Sequence, residues 1–352
     1  MILGSITDYL ESFFPKNTAL DSDNVGLQVG NSLSDIERAY IALTLTDRAL
    51  KQAIDFNASL IITHHPLIYH PLRSIDISTP LGRRIKTLVD QHISVYSAHT
   101  NLDVATGGVS DALADVYGIR NRKVISPTDE YKLLKLIVYV PVEAFDRFRE
   151  QFLQDKVGHI GKYSHCSFSL EGEGTFMPLE GSEPYSGQQD LLSRVKEKRF
   201  EAVLWEKDIN EVIARLKEIH PYEEVAYDLV SLSNQGQTIG LGRYGVIDPI
   251  RKVDFPMPIS GVYKGNLDEH NTFSRIGVSG GSGGKMVNDA VRLGLDLFIS
   301  AEFSFHDELL AADHGLALLD LGHDASERPV LEPLATLIRD RFPELDVRVE
   351  TI

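Results

Sequence analysis

Two adjacent histidines close the apolar run in LIITHHPLIYHP, residues 60–71. Neighbouring residues of an extended strand point to opposite faces. His64 and His65 can therefore share a site only where the chain turns, as it can at a strand end, and each imidazole can then address a different ion of a pair. Pro66 keeps His65 out of the helical region and sets the exit direction. Two further apolar runs end in the same way: SAHTNLD delivers His99 and Asp103, and LGHDASE delivers His323 and Glu327. Neutral imidazole and carboxylate are donors that zinc, manganese and iron accept. The single cysteine, Cys166, rules out a thiolate cluster. Ions of two-metal sites lie about 3.5–4 Å apart, and a carboxylate such as Asp103 or Glu327 can bridge them. The plainer alternative is one core and one surface histidine at 64 and 65, with the other polar residues scattered in loops.

Other residues carry weaker signals. His323 and Glu327 have helical spacing, but Gly322 and Pro329 predict an intervening loop and a helix that begins near Glu327. GVSGGSGGKM, residues 277–286, lies between an expected strand and an expected helix. It fits neither the GxxxxGK[ST] nor the GxGxxG pattern. That leaves a tight turn or a backbone contact to an anion at a helix N-terminus. Glu302 and His306 follow a strand and are read as an outer hydrogen-bonding group, a proton carrier or surface residues. His70, His92, His159, His165, His270 and His314 lack partners in the pattern. Asp111 and Asp115 are expected to be solvated on a helix, and HPYEEVAY reads as a turn into a strand.

These groups need elements to hold them. Strand and helix patterns alternate through IERAYIALTLT, DRALKQAIDFN, SLIITHH, GRRIKTLVDQH, ISVYSAH and VSDALADVYG. The last third repeats this from SRIGVSG to RPVLEPLATLIRDRF. Such alternation predicts an α/β fold with a mostly parallel sheet, whose strand ends would carry the ligands. The middle reads as β-α-β-β-α-β, a ferredoxin-like unit, with SNQGQTIGLG as the linker back. The expected layout is an α/β core in two halves, 1–129 and 234–352, split by an inserted α+β domain at 130–233. ASLIITHH resembles LDLFISAE, and SVYSAHTNLD resembles ALLDLGHDASE. A pseudo-duplicated core would bring the strand ends of both halves to one site and put Glu302 in the place of His65.

Composition narrows the class. The 352 residues are 43% hydrophobic and 24% charged, which excludes a disordered chain. A net charge of -16 disfavours general nucleic-acid binding. No apolar run reaches about 18 residues, so no membrane span is expected. The opening residues do not read as a signal peptide, and a cytoplasmic location is expected.

DNVGLQVG, THHPLIYHPL, SAHTNLDVATGGVSDALA, GVSGGSGG, ISAEFSFHDELLAADHG and LGHDASE occur in that order along the chain. In these motifs it resembles the GTP cyclohydrolase 1 type 2 homologue family, also described as NGG-interacting-factor-like, over essentially its whole length. The middle segment is similar to the PII/CutA-like insertion of longer members. The resemblance implies two divalent ions per chain held by His64, His65, Asp103, His323 and Glu327, and a homohexamer whose metal sites face an inner cavity. His99 and Glu302 are the residues considered for proton transfer. At the early strand, members usually carry an aspartate where this chain has Thr44, with Asp47 nearby.

Two functions compete. One is a metal-dependent hydrolase acting on a nucleotide-like or cyclic C–N substrate. The other is a non-enzymatic metal-binding regulator, metallochaperone or scaffold. A metal-free structural protein would require all five aligned ligands to be coincidental.

Overall fold

The apolar runs of the first half form short strands: β1 (Gly26–Val29), β2 (Arg38–Ala42), β3 (Leu60–Thr63), β4 (Ser94–Ser97) and β5 (Arg120–Tyr131). The middle contributes β6 (Leu133–Pro141), β7 (Ser167–Phe176), β8 (Ser193–Trp205) and β9 (Tyr227–Ser231). The remainder adds β10 (Gln237–Arg251), β11 (Val262–Lys264), β12 (Thr272–Ser282), β13 (Leu297–Ala301), β14 (Ala317–Asp320) and β15 (Asp346–Val349). This computed structural model describes residues 1–153, 156–258, 261–264 and 271–351; His270 lies outside them. The chain divides into one unit of residues 1–129 and 238–352 and another of residues 130–237.

The first unit is a mixed α/β structure built on two sheets, ordered β1-β4-β3-β2-β15 and β11-β14-β13-β12-β10-β5. β4, β3, β2 and β15 pair in parallel, with β1 antiparallel on β4. β14, β13 and β12 are also parallel, with β11 antiparallel on β14. The order β1-β4-β3-β2 therefore recurs as β11-β14-β13-β12. In both, the strands that precede the candidate ligands sit side by side.

Period-two burial explains the layering. Ile41, Leu60 and Ile62 face the helices Leu3–Phe13 and Leu331–Arg341, whereas Tyr40, Ala42 and Ile61 face Asp47–Asp55 and Pro80–Asp90. The helix Val109–Val116 belongs to two cores. Val109 and Ala112 pack with the first sheet, and Leu113 and Ala114 with Ile276, Val278 and Ile299 of the second. Thr46, Thr79 and Ser304 cap three of the helices, each accepting a backbone N–H.

In the second unit the order is β7-β8-β6-β9. The neighbours are antiparallel, and the helices Phe145–Phe152 and Ile209–Ile219 follow β6 and β8. This is the β-α-β-β-α-β sequence of elements. Among the described residues no helix is long and apolar enough to cross a membrane.

Four expectations change. The expected linker SNQGQTIGLG is strand from Gln237 onward. The glycine-rich stretch lies largely inside β12, where its small residues allow close packing. The helix near Glu327 begins at His323, with Gly322 before it at φ +80°. Asp111 is not solvated: it receives the guanidinium of the buried Arg243 at 3.0 Å. Asp115 is exposed and pairs with Arg122.

Arg243, 4% exposed, joins the two sequence halves. On β10, it donates to the carbonyls of Gly240, Gly242, Val104 and Ala105 as well as to Asp111. Removing the guanidinium leaves four carbonyls short of a donor in a poorly solvated place and leaves Asp111 with only Arg122 and the Gly107 N–H. Arg243→Ala is expected to cost about 3 kcal/mol or more, read from urea unfolding. A loss below about 1 kcal/mol, the scale of an exposed pair, would mean the network is not a structural anchor.

Candidate metal centre

Thr63 ends β3, yet the chain keeps two more links to its neighbour: His64 N–H donates to Ala42 O at 3.3 Å and His65 N–H to Leu43 O at 2.9 Å. The two imidazoles do not diverge. Their ring centroids are 5.1 Å apart, and both reach Glu327, His64 Nε2 at 3.6 Å from Oε1 and His65 Nε2 at 3.0 Å from Oε2. After β4, His99 stands before the short helix Thr100–Val104, which carries Asp103. Asp103 Oδ1 is 3.6 Å from His64 Nε2. After β14, His323 and Glu327 lie one turn apart on the helix His323–Glu327, with Nε2 3.1 Å from Oε1.

Two groups result, His64 with His65 and His99, and His65 with His323 and Glu327. In each, the potential ligand atoms lie within 4.8 Å of one another. The C-terminal ends of parallel strands from both sheets thus meet at one place. Glu302, after β13 at φ +56°, is exposed and touches the cluster only through His323.

Each imidazole is held by Nδ1. His64 donates to Ala98 O at 2.9 Å, His99 to Asp23 at 2.9 Å, and His323 to Glu302 Oε1 at 2.9 Å. These acceptors direct Nδ1–H outward, so the neutral ring presents the Nε2 lone pair to the centre. His65 Nδ1 lies 2.6 Å from Thr44 Oγ1. A hydroxyl can donate or accept, so Thr44 orients the ring without imposing a tautomer. Asp47 does not take this role; it is exposed and pairs with Arg84.

Glycines make room for the carboxylate. A Cβ on Gly280 would stand 3.2 Å from Glu327 Cγ and 2.3 Å from Val109 Cγ1. One on Gly281, at φ +63°, would stand 2.5 Å from Glu327 Oε1. The register of β12 against β13 shifts between Val278 and Ser282, a bulge that turns the strand beside the site. Gly281 N–H donates to Ser326 Oγ, and Ser300 Oγ donates to Gly281 O. The glycine run thus gives Glu327 its space.

Electrostatics favour a cation here. Glu327 is 3% exposed. Burial would raise it, but the His64 and His65 rings beside it hold it down at about 2. Burial likewise works against the His64 imidazolium, but Asp103 and Glu327 outweigh it and lift the ring to about 9. Asp103 is pushed up by burial, with the Glu327 charge adding to it and His64 opposing. Three buried atoms fall short of a well-formed hydrogen bond: His64 Nε2 and Asp103 Oδ1 face each other at 3.6 Å, and Glu327 Oε2 meets the His65 ring only as an ion-pair contact. Burying such atoms unpaired is costly, and divalent ions would satisfy all three.

Asp23 was missed in the sequence, although it opens DNVGLQVG. It receives the His99 ring, and hydrogen bonds from His99 and Thr100 overcome burial to hold it well below the usual carboxylate range. His306, His70, His159 and His165 are exposed. His92 is an exposed turn residue at φ +54°, and His314 bonds Leu310 O at the end of its helix. His220 of HPYEEVAY is buried against Tyr139 O.

Two outcomes follow. In protein stripped of metal, the His64 contribution to stability is complete below about pH 6.5 and fades as pH rises through about 9. An ion must displace that proton, so affinity should climb over this interval and binding at pH 7 should release protons. Calorimetry in two buffers of different ionisation enthalpy reads this directly; buffer-independent heats would contradict it. Gly281→Ala should weaken metal binding about tenfold or more. Gly294→Ala should not: its φ is similar at +62°, but no atom lies near its Cβ. Equal affinities in a competition titration would show that Glu327 does not need the space.

The family model described as Duf34/NIF3 (NGG1p interacting factor 3) matches residues 1–352. A "GTP cyclohydrolase 1 type 2 homolog" of Halalkalibacterium halodurans is 35% identical over 360 residues, covering 99% of this chain and 96% of the relative. The protein so named in Bacillus subtilis is 36% identical over 329 residues, covering 92% and 88%. The crystal structure of a Bacillus cereus protein related to NIF3 superposes with a TM-score of 0.87 at 33% identity, covering 100% of this chain and 97% of that one.

Proposed function

The chain belongs to the Duf34/NIF3 family, and on that footing we propose that it is a dinuclear-metal-binding protein that works as a metal-dependent hydrolase on a nucleotide-like or other cyclic C–N substrate. The observation that supports this most is the set of imidazoles held at Nδ1 around the buried Glu327, with three buried polar atoms short of a well-formed hydrogen bond. His64, His65, Asp103, His323 and Glu327 hold two divalent ions, zinc, manganese or iron. Glu327 would be shared between the ions, since its two oxygens address different histidines. When bound, such a pair supplies a nucleophilic water near neutral pH and polarises a carbonyl, amidine or phosphoryl group.

The remaining residues orient groups and move protons. His99, backed by Asp23, is a further donor or carries a proton at Nε2. Glu302 fixes His323 and acts as a positioning residue. Residues 1–129 and 234–352 form the metal-binding core. Residues 130–233 form a ferredoxin-like, PII/CutA-like insert. The same reading carries a homohexameric assembly and a cytoplasmic location, with a small-molecule substrate in place of nucleic acid or membrane.

A second reading, a metal-holding regulator, metallochaperone or scaffold, draws on the insert, a complete folding unit with its own core. Elemental analysis of protein purified without chelator or a metal-binding tag separates the cases in stages. About two ions per chain, lost in a His65→Ala, Glu327→Ala double variant, is the expected result. Loaded protein should then hydrolyse a member of a nucleotide panel, and Glu327→Gln should abolish that turnover with the fold intact. Full metal content without turnover, together with a metal-dependent change in assembly, would favour the regulator. Absence of metal even after incubation with zinc, manganese and iron would remove both readings.

A further inference from the structure

The insert contains a cavity of about 440 Å³, a size that suits a small organic ligand. It lies within residues 130–237, so it is separate from the metal-ligating residues in sequence and in folding unit. Its position follows from strand alternation. On β6, Leu134, Leu136, Val138 and Val140 face the helices, and on β8 so do Phe200, Ala202 and Leu204. Tyr139 and Glu197 therefore face the other way, onto the side of the sheet without helices, where the cavity opens.

The walls are aromatic. The rings of Phe176 and Tyr185 lie with centroids 6.5 and 5.9 Å from that of Tyr222. Glu197 lies beneath them, 9% exposed, and accepts the Tyr222 hydroxyl at 2.8 Å on Oε1. Gly174 makes this possible, since a Cβ there would stand 2.1 Å from Glu197 Oε2. Glu223 and Glu224 complete the rim, and Glu223 also accepts the backbone N–H of Glu183. Burial first, and then the Glu197 carboxylate, push the Tyr222 hydroxyl up, so it stays a donor.

Among the described residues, the cavity lining contains no lysine, arginine or histidine. The basic side chains on that face of the central strands, Lys135 and Arg199, both pair with Glu201. Lys198 is on the opposite face, over the Phe145 ring. A phosphate or carboxylate would meet only negative charge here. Aromatic faces around a carboxylate are instead the surroundings that attract an ammonium group on an apolar body.

We infer that the insert holds a second binding site, distinct from the metal centre, for a small organic cation, an amine or quaternary ammonium compound carrying an apolar group.

The test uses the full, metal-loaded chain and three probes of similar shape: benzyltrimethylammonium, benzyl alcohol and benzoate. Calorimetric titration should show saturable binding of the cation, weaker binding of the alcohol and none of benzoate. Glu197→Gln keeps an acceptor for Tyr222 and should weaken the cation about tenfold, a loss of about 1.4 kcal/mol, with unchanged metal content and circular dichroism. Tyr185→Ala, at a half-exposed position, should weaken it as well, which keeps the test open if the first variant fails to fold. Failure of the cation to bind, equal binding of benzoate or the alcohol, or undiminished binding by a folded variant would each overturn the inference.

Discussion

Two carboxylates, Asp103 and Glu327, are packed with four imidazoles where two sheets meet, and the surrounding structure is organised by the need to balance that charge. Among the described residues neither acid has a lysine or arginine as its partner; each faces histidine. An imidazole can hold a proton or offer a lone pair, so the cluster can balance itself in two ways. One uses protons, with His64 carrying charge. The other uses metal ions, with the rings neutral.

Those partners explain why ligands drawn from distant parts of the chain can share one centre. Ala98 O lies just beyond β4, Asp23 just before β1, and Glu302 just after β13. Each orienting group is thus held by the strand ends that deliver the ligands. Thr44 is the exception in kind, a neutral hydroxyl where the other side-chain partners are carboxylates. A carboxylate behind an imidazole raises its basicity; a hydroxyl does so less. His65 is thus the ring whose tautomer its partner leaves open, and it belongs to both groups.

Much of this was legible in the sequence because strand ends announce themselves. An apolar run that stops at a histidine marks both the element and the site, and the three such stops at 64–65, 99 and 323 converge in space. The repeated strand order was visible as a short likeness between the halves. What could not be read depends on tertiary contact. Asp23 is one more acid in a polar turn until His99 is placed beside it. The glycines at 280 and 281 resemble an anion-binding loop because local sequence does not reveal that Glu327, some 46 residues onward from Gly281 in the numbering, packs against them. Asp111 looked solvated on its helix because its partner Arg243 lies far along the chain. The start of the helix at His323 was obscured by Gly322, whose positive φ lets the chain turn directly into it.

The first sheet is closed at one edge by β15, near the end of the chain, which pairs in parallel with β2, near its beginning. During synthesis the ribosome delivers β1 to β4 long before that edge strand, and the whole insert emerges in between. Domains tend to fold as they emerge, and non-local parallel pairing comes late. The insert, whose contacts are local to its own segment, can fold while the first sheet still lacks an edge and the cluster still lacks His323 and Glu327. The ligand set of the candidate centre is therefore complete only after His323 and Glu327 have left the ribosome. Until then His64 and His65 stand at an open sheet end without the carboxylate that unites them.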